Sequence, residues 1–168
     1  MIMPAKWKFF RIFSYLHALG AAAMAGVMIY IIIASILSSR ASEIPVISLI
    51  AIGFLVLLVN ASINIYLLEK CYPDKLPVKI IYTIHPVLSA LCIIFLILVL
   101  VFSGDLFYSW FFENTEKLRT PFTLLIVISV GTLIITGFPI IIMQGRLKTQ
   151  IQHNHEARLD RFLKQEND

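Results

Sequence analysis

The chain has 168 residues, 59% hydrophobic and 14% charged, with a mean hydropathy of +0.87 and a formal net charge of +4. A water-soluble domain carries about 25% charged residues, so a soluble globular fold is excluded. No folded basic face is visible, which excludes a nucleic-acid-binding module.

The missing charge is concentrated in four gaps. No Asp, Glu, Lys or Arg lies between Arg11 and Arg40, between Glu43 and Glu69, between Lys79 and Asp105, or between Arg119 and Arg146. About 20 apolar residues cross the hydrocarbon core of a bilayer, and each gap exceeds that. Transmembrane spans are expected at about 14–37, 46–68, 79–102 and 121–144. The runs are continuously apolar, whereas a membrane strand alternates its faces over ~10 residues. A helix also pairs its own backbone groups in lipid. The expected fold class is therefore an all-α integral membrane protein with four transmembrane helices in an antiparallel bundle. Residues 1–145 would form the transmembrane domain and 146–168 a cytoplasmic tail.

The chain opens with "MIMPAKWKFFR", where Trp7, Phe9 and Phe10 stand among Lys6, Lys8 and Arg11. Aromatic rings and cations favour the headgroup level, so this segment reads as an interfacial anchor. A signal peptide would share the basic start, but its apolar core runs only 7–15 residues; the first span is longer and is read as retained. Within it, Ala18, Ala22 and Gly26 recur every four residues, a small-residue stripe suited to close helix packing. His17, Ala21, Met24 and Met28 share a neighbouring face. The connection at 38–45 is short, which makes spans one and two neighbours.

The next loop, "EKCYPDKLPVK", has Pro73 and Pro77 breaking helix on either side of Asp74. Glu69 and Asp74 are expected to pair with the adjacent Lys70 and Lys75. Cys71 falls in this loop and Cys92 inside the third span, with no CxxC and no disulfide expected. Span three contains "IHPV". Pro86 either kinks the helix and frees the Tyr82 carbonyl, or occupies its first turn and leaves His85 at the interface. A short echo links Arg11-Ile-x-x-x-Leu-His with Lys79-Ile-x-x-x-Ile-His.

The outer segment "DLFYSWFFENTEKLR" places Leu106, Phe107, Trp110 and Phe111 at helical spacing, which suits a short helix lying in the outer interface. A lid that binds a partner is the sharper alternative. In span four, Pro139 frees the Ile135 carbonyl. The tail repeats apolar residues at Leu147, Ile151, Leu159 and Phe162, an amphipathic helix. Its cations are offset by Glu156, Asp160, Glu166 and Asp168, so attraction to anionic lipid is modest. His153 and His155 in "HNHE" point to different helix faces, and no metal site is expected.

Lys and Arg counts give the orientation. Eleven cations lie on the side of the termini and the central loop, against Arg40, Lys117 and Arg119 on the other. The positive-inside rule puts both termini in the cytoplasm, as a multi-pass protein of the cell (inner) membrane.

Counting residues from these boundaries puts His17, Asn60, Asn64, Thr83, His85 and Thr136 in the inner half of the membrane. The outer half offers mainly Ser35, Ser48 and Thr123. Polar groups in lipid face the bundle interior or a wet cavity, so the inner six are expected to converge on one cytosol-facing polar pocket.

The uncharged cores remove the usual groups for proton relays and ion-coupled transport. No Ser–His–acid set, HExxH, CxxC or phosphate loop is present. These absences favour a non-catalytic accessory or assembly role, with the lipid bilayer and a membrane-protein partner or second copy as its contacts and no cofactor. One alternative is a bis-histidine haem b protein or oxidoreductase, with His17 and His85 as ligands and Arg11 or Lys79 at the propionates. The other is a binder or carrier of a small amphiphile that enters from the cytoplasmic leaflet between kinked spans three and four. The stretch "YLHALGAAAMAG" resembles the first helix of copper-resistance and protoporphyrinogen-oxidase-type membrane families, whose early spans carry histidine beside small residues. The tryptophan and charged residues expected after that histidine are missing, so the resemblance implies no catalytic residue here.

Overall fold

The computed structural model describes residues 3–37, 44–113 and 121–166. It contains four α-helices: α1 (Ala5–Leu37), α2 (Ile44–Tyr66), α3 (Lys79–Glu113) and α4 (Pro121–Glu166). Each includes a stretch long and apolar enough to cross a membrane, and no strand occurs among the described residues. Residues 38–43 and 114–120, with Arg40, Lys117 and Arg119, lie outside the described residues. So do the side chains of Leu106, Phe107, Trp110, Phe111 and Thr123.

The helices overrun the spans read from the charge gaps. α1 has 33 residues, about 50 Å at 1.5 Å per residue, and α4 has 46, about 70 Å. Both exceed a hydrocarbon core of about 30 Å. α1 begins early because the Pro4 carbonyl accepts the backbone N–H groups of Trp7 and Lys8 at 3.0 and 3.2 Å. α2 passes into a five-residue π-helical turn at Leu67–Cys71, closed by the Tyr72 N–H on the Leu67 carbonyl at 2.8 Å. α3 starts at Lys79 with Pro86 inside it, so Pro86 does not begin the helix. The outer aromatic segment continues α3 to Glu113 and forms no separate helix before that point. The tail likewise prolongs α4 to Glu166, and the boundary expected at 145/146 falls inside one uninterrupted helix.

α1 packs on both α2 and α4. Its buried face carries Trp7, Phe10, Ser14, His17, Ala21 and Met24, a three-and-four spacing that keeps one stripe turned inward. This spacing overturns two expectations. Trp7 and Phe10 are not interfacial anchors; they are each 1% exposed, and only Phe9 of the three points outward. The stripe of Ala18, Ala22 and Gly26 is not the packing face within the chain. Ala18 is half-buried, while Ala22 and Gly26 are exposed, because one residue's step turns a helix by about 100°.

The interior divides into two apolar clusters. One joins Ala21, Met24, Phe54, Leu57, Cys92, Leu96 and Leu133. The other joins Trp7, Phe10, Leu67, Leu68, Cys71, Ile140, Leu147 and Ile151. Among the described residues α3 contributes only to the first, and its apolar span is less buried than the other three. It docks through neighbouring side chains: Phe95 fills the space over Gly53 of α2, and Leu96 that over Gly137 of α4. The Phe95 ring meets Phe54 edge-on, with centroids 5.1 Å apart.

Candidate functional site in the bundle interior

Buried polar side chains lie on the same inward stripes as the apolar ones, so helix periodicity alone brings them together. His17 of α1 is 1% exposed, and its Nδ1 lies 2.8 Å from Thr136 Oγ1 of α4. The Thr136 hydroxyl donates to the Thr132 carbonyl at 2.7 Å. Its one hydrogen is therefore engaged, and its oxygen accepts from His17. That assigns the His17 proton to Nδ1 and the lone pair of a neutral ring to Nε2.

A second group links α3, α2 and α4. His85 Nε2 is 3.1 Å from Asn64 Oδ1. The amide nitrogens of Asn60 and Asn64 donate to Gln144 Oε1 at 3.4 and 3.5 Å, near the limit for a hydrogen bond. Asn60 and Asn64 stand one helical turn apart on α2, which lets one glutamine oxygen serve both. Asn60 Oδ1 is buried with no partner. Ser89 Oγ donates to the His85 carbonyl at 2.7 Å, bracing α3 at this level.

Five of the six expected pocket residues are thus gathered inside the bundle, in two groups. They meet α4 at Thr136 and Gln144, eight positions or about 12 Å of helix apart. His17 and His85 therefore stand at different levels, correcting the equal depth that counting from Arg11 and Lys79 suggests. Thr83 is not part of either group. It is exposed and donates to the Lys79 carbonyl of its own helix at 3.1 Å. His85 is 2% exposed, so it lies in the bundle and not at its edge.

Gln144, a residue the sequence reading overlooked, ties the second group together. It sits two residues before Arg146 and so resembles the polar end of a span. Its signal was its register, two helical turns from Thr136. Ser14 and Ser129 were also passed over; both are buried, and Ser14 Oγ donates to the Phe10 carbonyl at 2.9 Å.

The loop between the π-helical turn and α3 is fastened to the far part of α4. Asn154 Nδ2 donates to the Pro73 carbonyl at 2.8 Å, and His155 Nδ1 donates to the Asp74 carbonyl at 3.0 Å. Arg158 pairs with Asp74 at 2.8 Å. Asp74 is therefore matched across the fold and not with adjacent Lys75. Glu69 similarly accepts from the Tyr15 hydroxyl of α1 at 2.6 Å. The "HNHE" stretch serves as part of this clasp. Beside it lies a groove of about 410 Å³, lined by Asp74, Lys75, Leu76, His155, Arg158, Leu159 and Phe162. Cys71 and Cys92 are both free and buried.

Comparison with family models, with curated proteins and with solved structures finds no match to this chain. Its architecture is that of a polytopic, all-helical membrane protein with four candidate spans.

Proposed function

We propose that the chain is a non-catalytic accessory or assembly protein of the cell membrane, folded as an antiparallel bundle with both termini in the cytoplasm. The eleven-to-three cation distribution supports that orientation. The observation that supports the accessory role is that the buried histidines, asparagines, threonine and glutamine bond to one another from helix to helix. His17 binds Thr136, His85 binds Asn64, and Asn60 and Asn64 bind Gln144. These are helix-to-helix hydrogen bonds between uncharged side chains, which fix register in lipid. No acid, base and nucleophile stand within reach of one another in these groups. The surfaces left facing outward, including Ala22, Gly26, Ile29 and Ile33 of α1, suit lipid and a partner helix.

Cross-linking in native membranes at near-native expression tests the role. The expected result is a defined product larger than one chain. A chain that cross-links only to itself internally, and elutes alone in mild detergent, overturns it. The haem alternative rests on the lone pair that Thr136 leaves on His17 Nε2. Haem b ligated by both histidines also needs His85 at the same level, and the two meet α4 about 12 Å apart. We expect no Soret band after haem-replete expression. A band lost in both His17→Ala and His85→Ala would establish the haem reading instead.

A further inference from the structure

Apolar side chains exposed along a span are covered by lipid, but those on the far part of α4 stand beyond its reach. Arg146 closes the last charge-free run, and Arg158 lies twelve residues further along the same helix, with no proline or glycine between. That is about 18 Å of helix, or about 14 Å of height at a tilt of about 40°. The headgroup layer outside the hydrocarbon is only about 5–8 Å thick. The groove between α4 and the loop of Asp74, Lys75 and Leu76 therefore opens to water.

Leu76, Leu159 and Phe162 line that groove while 51%, 49% and 56% exposed. Leu163, one turn from Leu159, extends the apolar strip at 58%. Apolar groups clustered in water mark contact sites. The room is already formed, with α4 as one wall, the loop as the other and a volume of about 410 Å³. Along α4, His155, Leu159, Phe162 and Leu163 follow the i, i+4, i+7, i+8 spacing of a helix-contact face. The Arg158 guanidinium lies over the Phe162 ring at 5.5 Å and steadies it.

Charge gives the occupant its sign. From Glu69 to Lys79 the chain carries two carboxylates and three lysines. Both carboxylates are engaged within the fold, Glu69 by the Tyr15 hydroxyl and Asp74 by Arg158. Lys70, Lys75 and Lys79 have no carboxylate partner among the described residues, and Lys75 lines the groove itself. Glu156 and Asp160 do not line it. At about 100° per residue they fall on the far side of Leu159 from Phe162.

We propose that this groove docks an amphipathic helix of a partner protein, its apolar side chains on Leu76, Leu159 and Phe162 and its carboxylates toward Lys75. A helix suits the site better than a small amphiphile, because the strip from His155 to Leu163 runs about 12 Å and passes the end of the groove. Helix-in-groove recognition reads such spaced apolar anchors. The proposal rests on the accessory reading above and gives its partner a contact point outside the bilayer.

The test uses the full chain in nanodiscs of an uncharged-headgroup lipid, with fluorescence anisotropy of three short synthetic helices. The first carries Leu and Phe at i, i+3, i+4 and i+7 with glutamates on both flanks. The second has lysines on the flanks, and the third keeps the glutamates but has serine in place of the apolar stripe. Saturable binding of the first is expected, about tenfold tighter than the second, with none by the third. Leu159→Ala and Phe162→Ala should each weaken it about fivefold. Both side chains are about half exposed, so the variants should elute as the wild type does. Lys75→Glu, or salt raised to about 0.5 M, should narrow the gap between the first two helices. Equal binding of those two, or unchanged binding by Leu159→Ala and Phe162→Ala, overturns the proposal. So does an absence of saturable binding by the first helix. Saturable binding of decanoate in place of any helix assigns the groove to a small anionic amphiphile and overturns it too. Native membranes separate this proposal from the accessory reading. No cross-linked product from the wild type defeats that reading, whereas a product undiminished in Leu159→Ala, Phe162→Ala and Lys75→Glu defeats only the docking site.

Discussion

Gly53 has no side chain, and the Phe95 ring occupies the space where one would be. Gly137 is similar, with Leu96 Cδ1 2.6 Å from the position of an added Cβ. Gly26, by contrast, would meet nothing within 4 Å. Glycines that look alike in sequence therefore differ in consequence. Gly53→Ala should destabilise by about 1–3 kcal/mol through overpacking, whereas Gly26→Ala should be neutral or stabilise by up to about 1 kcal/mol through helix propensity. Denaturant titration in detergent compares the two, and equal effects would refute this account of α3 docking. The same residues mark the limit of reading the sequence. A repeat of Ala18, Ala22 and Gly26 is conspicuous on paper. The inward face is nevertheless the one that carries Trp7 and Phe10 at one end and Met24 at the other, because helices in lipid associate through van der Waals packing and large interlocking side chains make more of those contacts.

At the scale of elements, the four helices were legible from the charge gaps, since few other structures cross lipid. Their ends were not. α1 and α4 continue past their cations because Trp7, Phe10, Leu147 and Ile151 meet Leu67, Leu68 and Cys71 in a second apolar cluster. That pairing is between segments distant in sequence, so no local pattern announces it. Histidines, asparagines and Thr136 were legible as buried polar residues, but their division into two levels was not, because it depends on how far each helix slides past its neighbours. The tail is thus part of the fold. Truncation after residue 145 removes Leu147 and Ile151, each worth about 2–5 kcal/mol on the scale of large-to-small core changes. It should leave a chain that aggregates on extraction. A truncated chain as stable as the full one would show that the second cluster is dispensable. Arg158→Ala should cost no more than about 1 kcal/mol, as expected for an exposed ion pair, since Asn154 and His155 still hold the loop.

For the whole molecule, charge and packing make one joint prediction. If both termini face the cytoplasm, Lys8→Cys and Lys164→Cys should react with a membrane-impermeant thiol reagent only when the cytoplasmic side is exposed. Reaction of either from the opposite side in sealed vesicles would reverse the orientation. Cys71 and Cys92 are buried, so background labelling should be small. The central position of α1, against both α2 and α4, also has a consequence in time. α1 completes its contacts only with a helix synthesised after α2 and α3. His17 meets Thr136, 119 residues later, and Trp7 meets a cluster that includes Ile151. Until α4 is made, α1 carries an imidazole without its threonine and a tryptophan without part of its surroundings. A nascent chain arrested before span four is therefore an unfinished object, open along one side to whatever helper or helix the membrane supplies.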